Sequence, residues 1–345
     1  MKTIKWMMLL GSLLVFGTTD VTAQEPVDRK RPALPGGIVE IQNGDGSVEI
    51  TGWKRREVAV RGTLGTGTDG LEFSGDGYRT TVRVLVPDAP LGPGDKKMDP
   101  SHLKVLVPES SQIEAETVDA NISVAKVRGR VYLESVGGDI VVRDAPKEVD
   151  VRSVRGTIEL ATARSRVKGH SVEGTLLLKA MGGEADLSNV SGNIVVQGGQ
   201  LDRGRFKSVS GNIRFEGDLN AGGVFDFSNY SGDVELKLPE TFAADFRVST
   251  FNGNVKNAFG PGVKPATGRV RSKRLTFSTG SDIGRLQVEG ESKKPPLSID
   301  FGSQPSPNRL ERDLFRAPTK AQIREAGRAR VSVSTFSGNV RLQKQ

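Results

Sequence analysis

The sequence predicts an all-β protein built as a parallel β-solenoid, a β-helix-like stack with circuits of about 18–21 residues. Two observations predict this fold. A six-residue phrase of the type SVSGNI or TFSGNV recurs eight times between residues 135 and 340. Around each phrase, apolar residues alternate with polar ones as they do in short β-strands. A fixed period of this length, written in strands, is typical of a β-solenoid.

The first element is a leader at residues 1–23. It has a basic start (Lys2, Lys5), an apolar run from Trp6 to Phe16, and small residues that end at Ala23. This order is typical of a secretory signal peptide, and the apolar run is shorter than the roughly 20 residues that span a bilayer. The sequence therefore predicts export, to the periplasm or the cell surface and extracellular space, with no integral membrane segment after leader removal.

Composition limits the partners of the exported chain. The 49 basic and 41 acidic residues give a net charge of +8, and removing residues 1–23, which contribute +1, leaves +7. The excess is spread along the chain, so it predicts a solvated surface, with a mild preference for anionic envelope polymers as the sharper alternative. Export argues against a nucleic-acid partner. The chain has no cysteine, so its stability must come from packing without disulfides.

Residues 24–118 predict less regular β layers at the start of the stack. Val39, Ile41, Val48 and Ile50 bracket Gly46, and strand-like runs follow at residues 56–62, 78–87 and 103–108. A polar loop separates the last two runs. Within this region GTGTDG (residues 65–70) fits the spacing G-x-G-x-x-G. A dinucleotide site needs a helix directly after that motif, and the sequence that follows predicts none, so we interpret it as a loop.

Residues 119–257 carry the regular repeat. The phrases share a central glycine, which is followed by Asp, Thr or Asn; these glycines are Gly138, Gly156, Gly174, Gly192, Gly211, Gly232, Gly253 and Gly338. Counted in residues, the successive spacings are 18, 18, 18, 19, 21, 21 and 85. Apolar residues recur seven, five and two positions before the glycine and two and four positions after it. We expect all of these side chains to point into the core, with a bend between the residues five and two positions before the glycine. Each phrase is therefore predicted to be one corner of the stack, repeated in every circuit. A smaller unit of nine residues, a short alternating strand followed by a corner, also recurs from Gly129 to Gly192, so two units make one circuit.

Two polar columns accompany the corner. Ser, Thr or Asn stands three positions before each glycine, where its side chain can bond to nearby backbone and support a bend. The residue after the glycine forms a second column, which includes Asp139, Asn193, Asn212 and Asp233. Stacking would align this column as a ladder that either satisfies corner backbone or binds sugars or cations. The aspartates are too sparse for a calcium-binding β-roll.

The remaining chain departs from the repeat and then resumes it. Residues 258–328 predict a loop and strand excursion, with strands near residues 274–281 and 284–290, a Pro-rich charged stretch at residues 291–329, and one short helix after Pro318. Residues 329–345 predict the final solenoid circuit, whose charged and amide tail would blunt the open end of the stack.

These phrases, together with GDGSVEITGW, VRVLVP, LKVLVP and VSVSTFSGNVRL, resemble a known family. The chain is similar to bacterial envelope proteins with β-strand repeats that are named putative adhesins, a domain of unknown function. The resemblance covers most of the chain after the leader and implies a β-solenoid in the cell envelope. It implies no catalytic residues. The Pro-rich stretch before the last circuit departs from the family pattern.

The sequence contains no group of residues typical of a catalytic, cofactor-binding or metal-binding site, so it predicts none of these sites and no cofactor. Spacings typical of serine hydrolases, P-loops and zinc proteases do not occur. His102 and His170 are the two histidines, and without thiols a zinc site is not expected. His170 adjoins a corner, and we expect its side chain to be solvated.

The favoured function is an exported, non-enzymatic envelope protein that acts as an adhesin or as a binding or scaffold module for a polysaccharide or protein partner. The alternative is a polysaccharide-processing β-helix enzyme, a glycan lyase or hydrolase, whose candidate carboxylates are Asp186, Asp226 and Glu235 at outward positions. A self-assembling scaffold that grows by end-to-end stacking is the third hypothesis. The sequence does not predict the oligomeric state.

Overall fold

The computed structural model describes residues 24–87, 98–144, 146–259, 273–278 and 328–345. The leader and most of residues 258–328 lie outside these ranges, including the predicted strand near residues 284–290, the Pro-rich stretch and its short helix. Every regular element in the described ranges is a β-strand, which confirms the all-β prediction. No helix in those ranges is long and apolar enough to cross a membrane.

The strands fall into three groups along the chain. The first group is β1 (Glu25–Pro32), β2 (Ile38–Trp53), β3 (Glu57–Leu64), β4 (Gly70–Gly75), β5 (Arg79–Leu85), β6 (Ser101–Pro108) and β7 (Gln112–Ala125). The second group is β8 (Arg130–Ser135), β9 (Ile140–Asp144), β10 (Glu148–Ser153), β11 (Ile158–Thr162), β12 (Arg164–Glu173), β13 (Leu176–Lys179) and β14 (Gly182–Ser191). The third group is β15 (Ile194–Ser210), β16 (Ile213–Ser231), β17 (Val234–Leu238), β18 (Ala244–Asn252), β19 (Val255–Asn257), β20 (Lys273–Ser278), β21 (Ala329–Ser337) and β22 (Val340–Lys344).

Parallel pairing one circuit apart builds the centre of the stack. Val131 of β8 pairs with Val149 of β10, which pairs with Val167 of β12, each one circuit further along the chain. The alternate strands β9, β11 and β13 pair in the same way. Each circuit thus supplies one strand to each of two faces, as the nine-residue unit in the sequence predicts.

The two faces contain the following strands in spatial order. The first face is β4, β5, the first half of β2, the first half of β7, β8, β10, β12, β14, the second half of β15, the second half of β16, β21, β18 and β20. The second face is β1, β3, β6, the second half of β2, the second half of β7, β9, β11, β13, the first half of β15, the first half of β16, β17, β22 and β19.

One apolar core lies between the faces, because alternate side chains point inward from β1 to β18 and in β21 and β22. Through β8–β14, at the centre of the stack, the core is filled by aliphatic side chains such as Leu133, Ile140 and Val151. Towards β16 it becomes aromatic, and the rings of Phe206 and Phe227 stack with centroids 4.8 Å apart. The core is therefore continuous along the whole stack, and each circuit is covered by its neighbours.

The longer circuits lie where the core becomes aromatic. The circuit from Gly192 to Gly211 is longer than those before it, and the circuit from Gly211 to Gly232 is longer again. The residue added in the first of these circuits is absorbed where the pairing of β14 with β15 shifts between Gly183 and Glu184. The residues added in the second are absorbed where the pairing of β15 with β16 shifts between Leu201 and Arg203, after which parallel pairing resumes. The wider circuit provides the volume that a phenylalanine needs over an aliphatic side chain.

The prediction of a purely parallel solenoid is wrong at both ends of the stack. At the start, β1 pairs antiparallel with β3, β3 with β6, and β4 with β5. At the other end, β20 pairs antiparallel with β18. An antiparallel strand needs only a short reversal of the chain and covers an edge that would otherwise present unpaired backbone groups. The fold is therefore a parallel centre with mixed ends.

The predicted position of the last circuit, at the open end of the stack, is also wrong. β21 lies between β16 and β18, and β22 lies between β17 and β19. Residues 329–345 thus form the layer below the one made by β18 and β19. Both layers carry nearly the same corner, TFNGNV and TFSGNV, so either phrase matches the edge beneath it. Sequence order therefore does not determine layer order here.

Candidate functional site

An exposed apolar column runs along the corner that joins the first face to the second. Its side chains stand two positions before the corner glycine, or before Ala120 in the first layer, one in each of nine successive layers. In spatial order they are Val118, Val136, Val154, Val172, Val190, Val209, Tyr230, Phe336 and Phe251. We call this column the corner ridge. Its exposure is high for apolar side chains: 52% for Val118, 42% for Val154 and 45% for Tyr230.

Three stacked rings form the end of the corner ridge. Phe336 lies between Tyr230 and Phe251, with ring centroids 4.9 Å apart on each side and planes inclined by 5°. Rings held on successive strands adopt this arrangement because the strand spacing is about 4.8 Å. Their edges are presented to solvent as one rigid apolar strip.

The ridge corrects the expectation that the apolar residue two positions before the glycine points into the core. Inward alternation continues instead to the polar residue three positions before it, and Ser135, Asn189 and Asn229 are buried. The apolar residue then follows with opposite parity and faces outward. The sequence contains a sign of this exposure: the apolar residue two positions before the glycine is out of phase with those five and seven positions before it. A bend in the chain would produce the same spacing.

The buried polar column supports the corner as predicted. The Asn189 amide donates to the carbonyl of Gly174 at 2.7 Å, and the Asn229 amide donates to that of Gly211 at 2.8 Å. Ser135 Oγ accepts from the Gly138 N–H at 3.0 Å. These bonds satisfy backbone groups at the bend in their own layers. The hydroxyls of Ser171, Ser208 and Thr335 in the same column are buried without a hydrogen-bond partner, so side-chain bonds support the corner in part of the column.

The column after the glycine also bonds to backbone. The Asp233 N–H donates to Asn212 Oδ1 at 2.9 Å, and the Asn339 N–H donates to Asp233 Oδ1 at 2.9 Å. The Thr157 N–H donates to Asp139 Oδ1 at 2.6 Å. Each side chain thus caps the next layer. Among the described residues, no group of three or more His, Asp or Glu is placed to hold a metal ion.

The structure brings two of the three candidate carboxylates together. Asp186 and Asp226 lie in one outward row of the first face, on either side of Arg205. A guanidinium nitrogen of Arg205 is 3.4 Å from Asp186, and both side chains are largely covered. Glu235 lies on the second face, 2.9 Å from Arg214, and takes no part in this row. We call Asp186, Arg205 and Asp226 the carboxylate row.

The two carboxylates of this row differ in environment. Burial raises the pKa of Asp226, although a hydrogen bond from Ser228 Oγ, 3.1 Å away, and the charges of Lys207 and Arg205 act in the opposite direction. Since burial disfavours the charged form, Asp226 binds its proton more tightly in the folded chain than in the unfolded one. Asp186, in contrast, is paired directly with a cation.

This difference predicts opposite effects of neutralising the two residues. Asp226→Asn should stabilise the fold near pH 7, because the folded chain no longer holds a buried charge there. In the wild type, the raised pKa makes stability fall as pH rises from the usual aspartate pKa through the raised value, since the folded state binds more protons in that window. Melting curves from pH 3 to pH 8 measure this slope.

Asp186→Asn is the matched control for that prediction. It removes the partner of Arg205 and should destabilise the fold near pH 7 by about 1 kcal/mol or more. The pH-dependent slope should remain in this variant and disappear in Asp226→Asn. If Asp226→Asn destabilises the fold and retains the slope, then our assignment of the buried charge is wrong.

The two histidines lie on different faces. His170 Nδ1 on β12 is 2.6 Å from Ser188 Oγ, and desolvation lowers the pKa of His170. The His170 side chain is exposed, as predicted, although the neighbouring strands desolvate the ring enough to lower its pKa. His102 on β6 bonds to Ser47 at 2.9 Å. The structure does not bring the two rings into one site.

Two further features, the GTGTDG segment and a surface depression, lie away from the ridge. After GTGTDG, the strand β4 begins at Gly70, where a dinucleotide site would need a helix. A surface depression of about 670 Å³ lies at the opposite corner and is lined by residues such as Gly199, Glu216 and Lys237. Lys237 and Glu216 are 3.6 Å apart, so its charges are partly paired. The corner ridge is the more extended feature.

A family model described as Toastrack DUF4097 matches residues 39–293. No curated protein matches the sequence. Among solved structures, a putative cell adhesion protein from Clostridium sporogenes is 8% identical, with a TM-score of 0.22, over 93% of this chain and 100% of that one. A putative adhesin from Parabacteroides distasonis is 10% identical, with a TM-score of 0.39, over 63% and 91%. A putative adhesin from Parabacteroides merdae is 10% identical, with a TM-score of 0.39, over 62% and 90%.

Proposed function

The chain belongs to the Toastrack DUF4097 family, and we propose that it is an exported, non-enzymatic binding module of the cell envelope, an adhesin in the broad sense, whose corner ridge contacts an envelope polysaccharide or a protein partner. The leader pattern at residues 1–23, outside the described residues, supports export. The rigid β stack supports a role in presenting a surface.

The observation that carries the proposal is the unbroken apolar exposure of the ridge. A strand stack normally places apolar side chains inside, and here every layer from Val118 to Phe251 also places one wholly or partly outside. Nine layers at about 4.8 Å make the ridge about 38 Å long. Exposed apolar surface of this extent and regularity is typical of interaction sites. Its layers are fixed by backbone bonds, so binding costs little ordering of the protein.

The experiment compares two charge insertions in the chain that begins at residue 24. Val154→Lys with Val172→Lys places charges on the ridge. Val141→Lys with Val195→Lys makes the same chemical change at outward positions of the second face. Each chain is passed over immobilised murein sacculi, purified outer polysaccharide and solubilised envelope protein. We expect the wild type and the second-face variant to be retained on one of these fractions, and the ridge variant to be lost.

Folding is checked by melting curves, which should differ little among the three chains because all four positions are outward. Retention of the ridge variant equal to that of the wild type would show that the ridge is not the binding surface. Failure of the wild type to bind any fraction would contradict the binding function itself.

A polysaccharide-processing enzyme is the second candidate, and the carboxylate row is the observation that favours it. Glycoside hydrolases use one protonated and one ionised carboxyl group. Burial raises the pKa of Asp226 while Asp186 is paired with Arg205, so the two carboxyl groups differ in proton affinity in the required sense. Release of reducing ends or of unsaturated products from a glycan panel, lost in both Asp186→Asn and Asp226→Asn, would support this candidate. Unchanged glycans would leave the binding function.

A further inference from the structure

The corner ridge is divided into two parts by the charge of its neighbours. In the layers of Val118, Val136, Val154 and Val172, the flanking positions carry charged side chains except at Gly137 and His170; the charged residues are Glu116, Glu134 and Arg152 before the ridge and Asp119, Arg155 and Glu173 after it. In the five layers from Val190 to Phe251, the residues directly after the ridge are Ser191, Ser210, Ser231, Ser337 and Asn252. We call these five layers, with the ridge side chains and the residues that follow them, the neutral strip.

The other border of the neutral strip is nearly free of charge as well. Two positions before the ridge stand Ser188, Lys207, Ser228, Ser334 and Ser249. The positive charge of Lys207 is the one exception on this border. A chain in which 26% of residues are charged thus presents an apolar line bordered mainly by serine side chains. Ser191, Ser210 and Ser231 after the ridge are exposed, whereas Ser228 before it is buried and its hydroxyl donates to Asp226. Anionic polymers find no cationic row here to bind.

The dimensions of the neutral strip favour a narrow ligand. Five layers at about 4.8 Å give a length of about 20 Å, and the strip is only a few side chains wide. A stable protein–protein interface needs roughly 800 Å² on each partner, which is more than such a strip offers. A linear polymer that lies along the stack axis can instead contact every layer in turn.

The chemistry of the strip matches a sugar chain without charge. Serine hydroxyls both donate and accept hydrogen bonds, as sugar hydroxyls require, and Asn252 adds an amide. The stacked rings of Tyr230, Phe336 and Phe251 provide an apolar line for the C–H groups of the sugar. One hydroxyl-bearing residue recurs beside this line in nearly every layer, so a polymer of repeated rings meets repeated contacts.

We propose that the neutral strip binds an uncharged linear polysaccharide, laid along the stack and contacting successive layers from Val190 to Phe251. This deepens the function proposed above and rests on it, since it names the ligand class for one end of the same ridge. The polymer lies across the serine rows, with its apolar ring hydrogens on the aromatic edges.

The test uses the full chain from residue 24 and defined probes. Affinity electrophoresis in gels that contain soluble cellulose ether, galactomannan, β-1,3-glucan or polygalacturonate separates neutral from anionic ligands. We expect retardation by at least one neutral glycan, little dependence on salt, and a weaker response to polygalacturonate. Tyr230→Ser with Phe251→Ser should weaken binding to that glycan by about tenfold. Val141→Ser with Val195→Ser, at outward positions of the second face away from the ridge, should leave it unchanged.

Melting curves of both double variants show whether the fold is retained, and Phe251→Ser alone serves if the pair unfolds. Retardation by polygalacturonate alone, or neutral binding that the aromatic variant does not weaken, would overturn the assignment of an uncharged polysaccharide to this strip. Absence of neutral-glycan binding would also overturn this assignment. The proposed function would remain intact in that case, provided that Val154→Lys with Val172→Lys still abolishes retention on the envelope fractions. If Val154→Lys with Val172→Lys also leaves retention on the envelope fractions unchanged, both proposals fail.

Discussion

Replacing Gly211 with valine is expected to lower the free energy of unfolding by about 3 kcal/mol or more. Gly211 has φ of +147°, a conformation that residues with a Cβ rarely adopt. A Cβ at this position would overlap the carbonyl oxygen of Gly192 in the layer below. The carbonyl oxygen and carbon of Gly192 are backbone atoms between paired strands. They cannot move away from a new Cβ without breaking the hydrogen bonds between successive layers.

The measurement is the denaturant midpoint of the variant against the wild type, with Gly44→Ala and Gly211→Ala as a matched pair. A Cβ at Gly44 meets no atom within 4 Å, so that change should be nearly neutral. Gly211→Ala should already destabilise strongly, because the overlap arises at Cβ and does not depend on the rest of the side chain. Equal midpoints for the two alanine variants would contradict this account of the corner.

Local pattern was sufficient to predict the repeated corner. The glycine, the polar residue three positions before it and the Asx or Thr after it each take part in backbone contacts within one or two layers. Such contacts depend on residues at a fixed spacing, so a periodic sequence reports them directly. The same holds for the nine-residue alternation, because each strand pairs with the equivalent strand of the next circuit.

Two features could not be predicted because they depend on more than the local period. The residues three and two positions before the glycine compete for the inward side of the strand, since only one of them can continue the inward alternation. An apolar residue is the usual choice for the interior, but here the polar residue is buried and the apolar ridge residue is exposed. The carboxylate row depends on the row alignment of three circuits, with a one-residue irregularity in the pairing of β14 with β15 next to Gly183 and Glu184. A shift of one residue there would move a side chain to the opposite face.

The order of the last layers was beyond sequence reasoning for a different reason. The chain from Gly211 to Gly232 is as long as the chain from Gly232 to Gly253, but the first stretch rises one layer and the second rises two. The layer made by β21 and β22 fills the difference. Since β18 carries the same corner phrase as β21, it has the pattern needed to pair directly with β16. The stack is therefore compatible with one layer fewer.

Deleting residues 329–345 is expected to let β18 and β19 move down one layer onto β16 and β17. The shortened stack loses the buried side chains Val331, Val333, Val340 and Leu342. We therefore expect the melting midpoint to fall by about 5–10 °C, the shift that a loss of a few kcal/mol gives in a chain of this size. Strands far from the deletion, such as β8 and β10, should keep their amide protection.

Engineered disulfides distinguish this rearrangement from simple fraying, since the chain has no cysteine of its own. In the full chain Ser228 Oγ is 3.3 Å from Ser334 Oγ, and Ser249 pairs with Ser334 on its other side. Ser228→Cys with Ser334→Cys should therefore oxidise readily. Ser228→Cys with Ser249→Cys should not, because about 9.6 Å separates two layers and a disulfide spans less than about 7 Å between Cα atoms.

In the truncated chain that second pair should become adjacent and form a disulfide. Its formation would show that the corner phrase of β18 accepts the edge of β16 in place of β21, with Phe251 brought onto Tyr230. A pair that stays reduced, together with loss of amide protection in β18, would show instead that the terminal layer unfolds. In that case the last circuit is required for the layer above it, and the repeated phrase alone does not determine which strands pair.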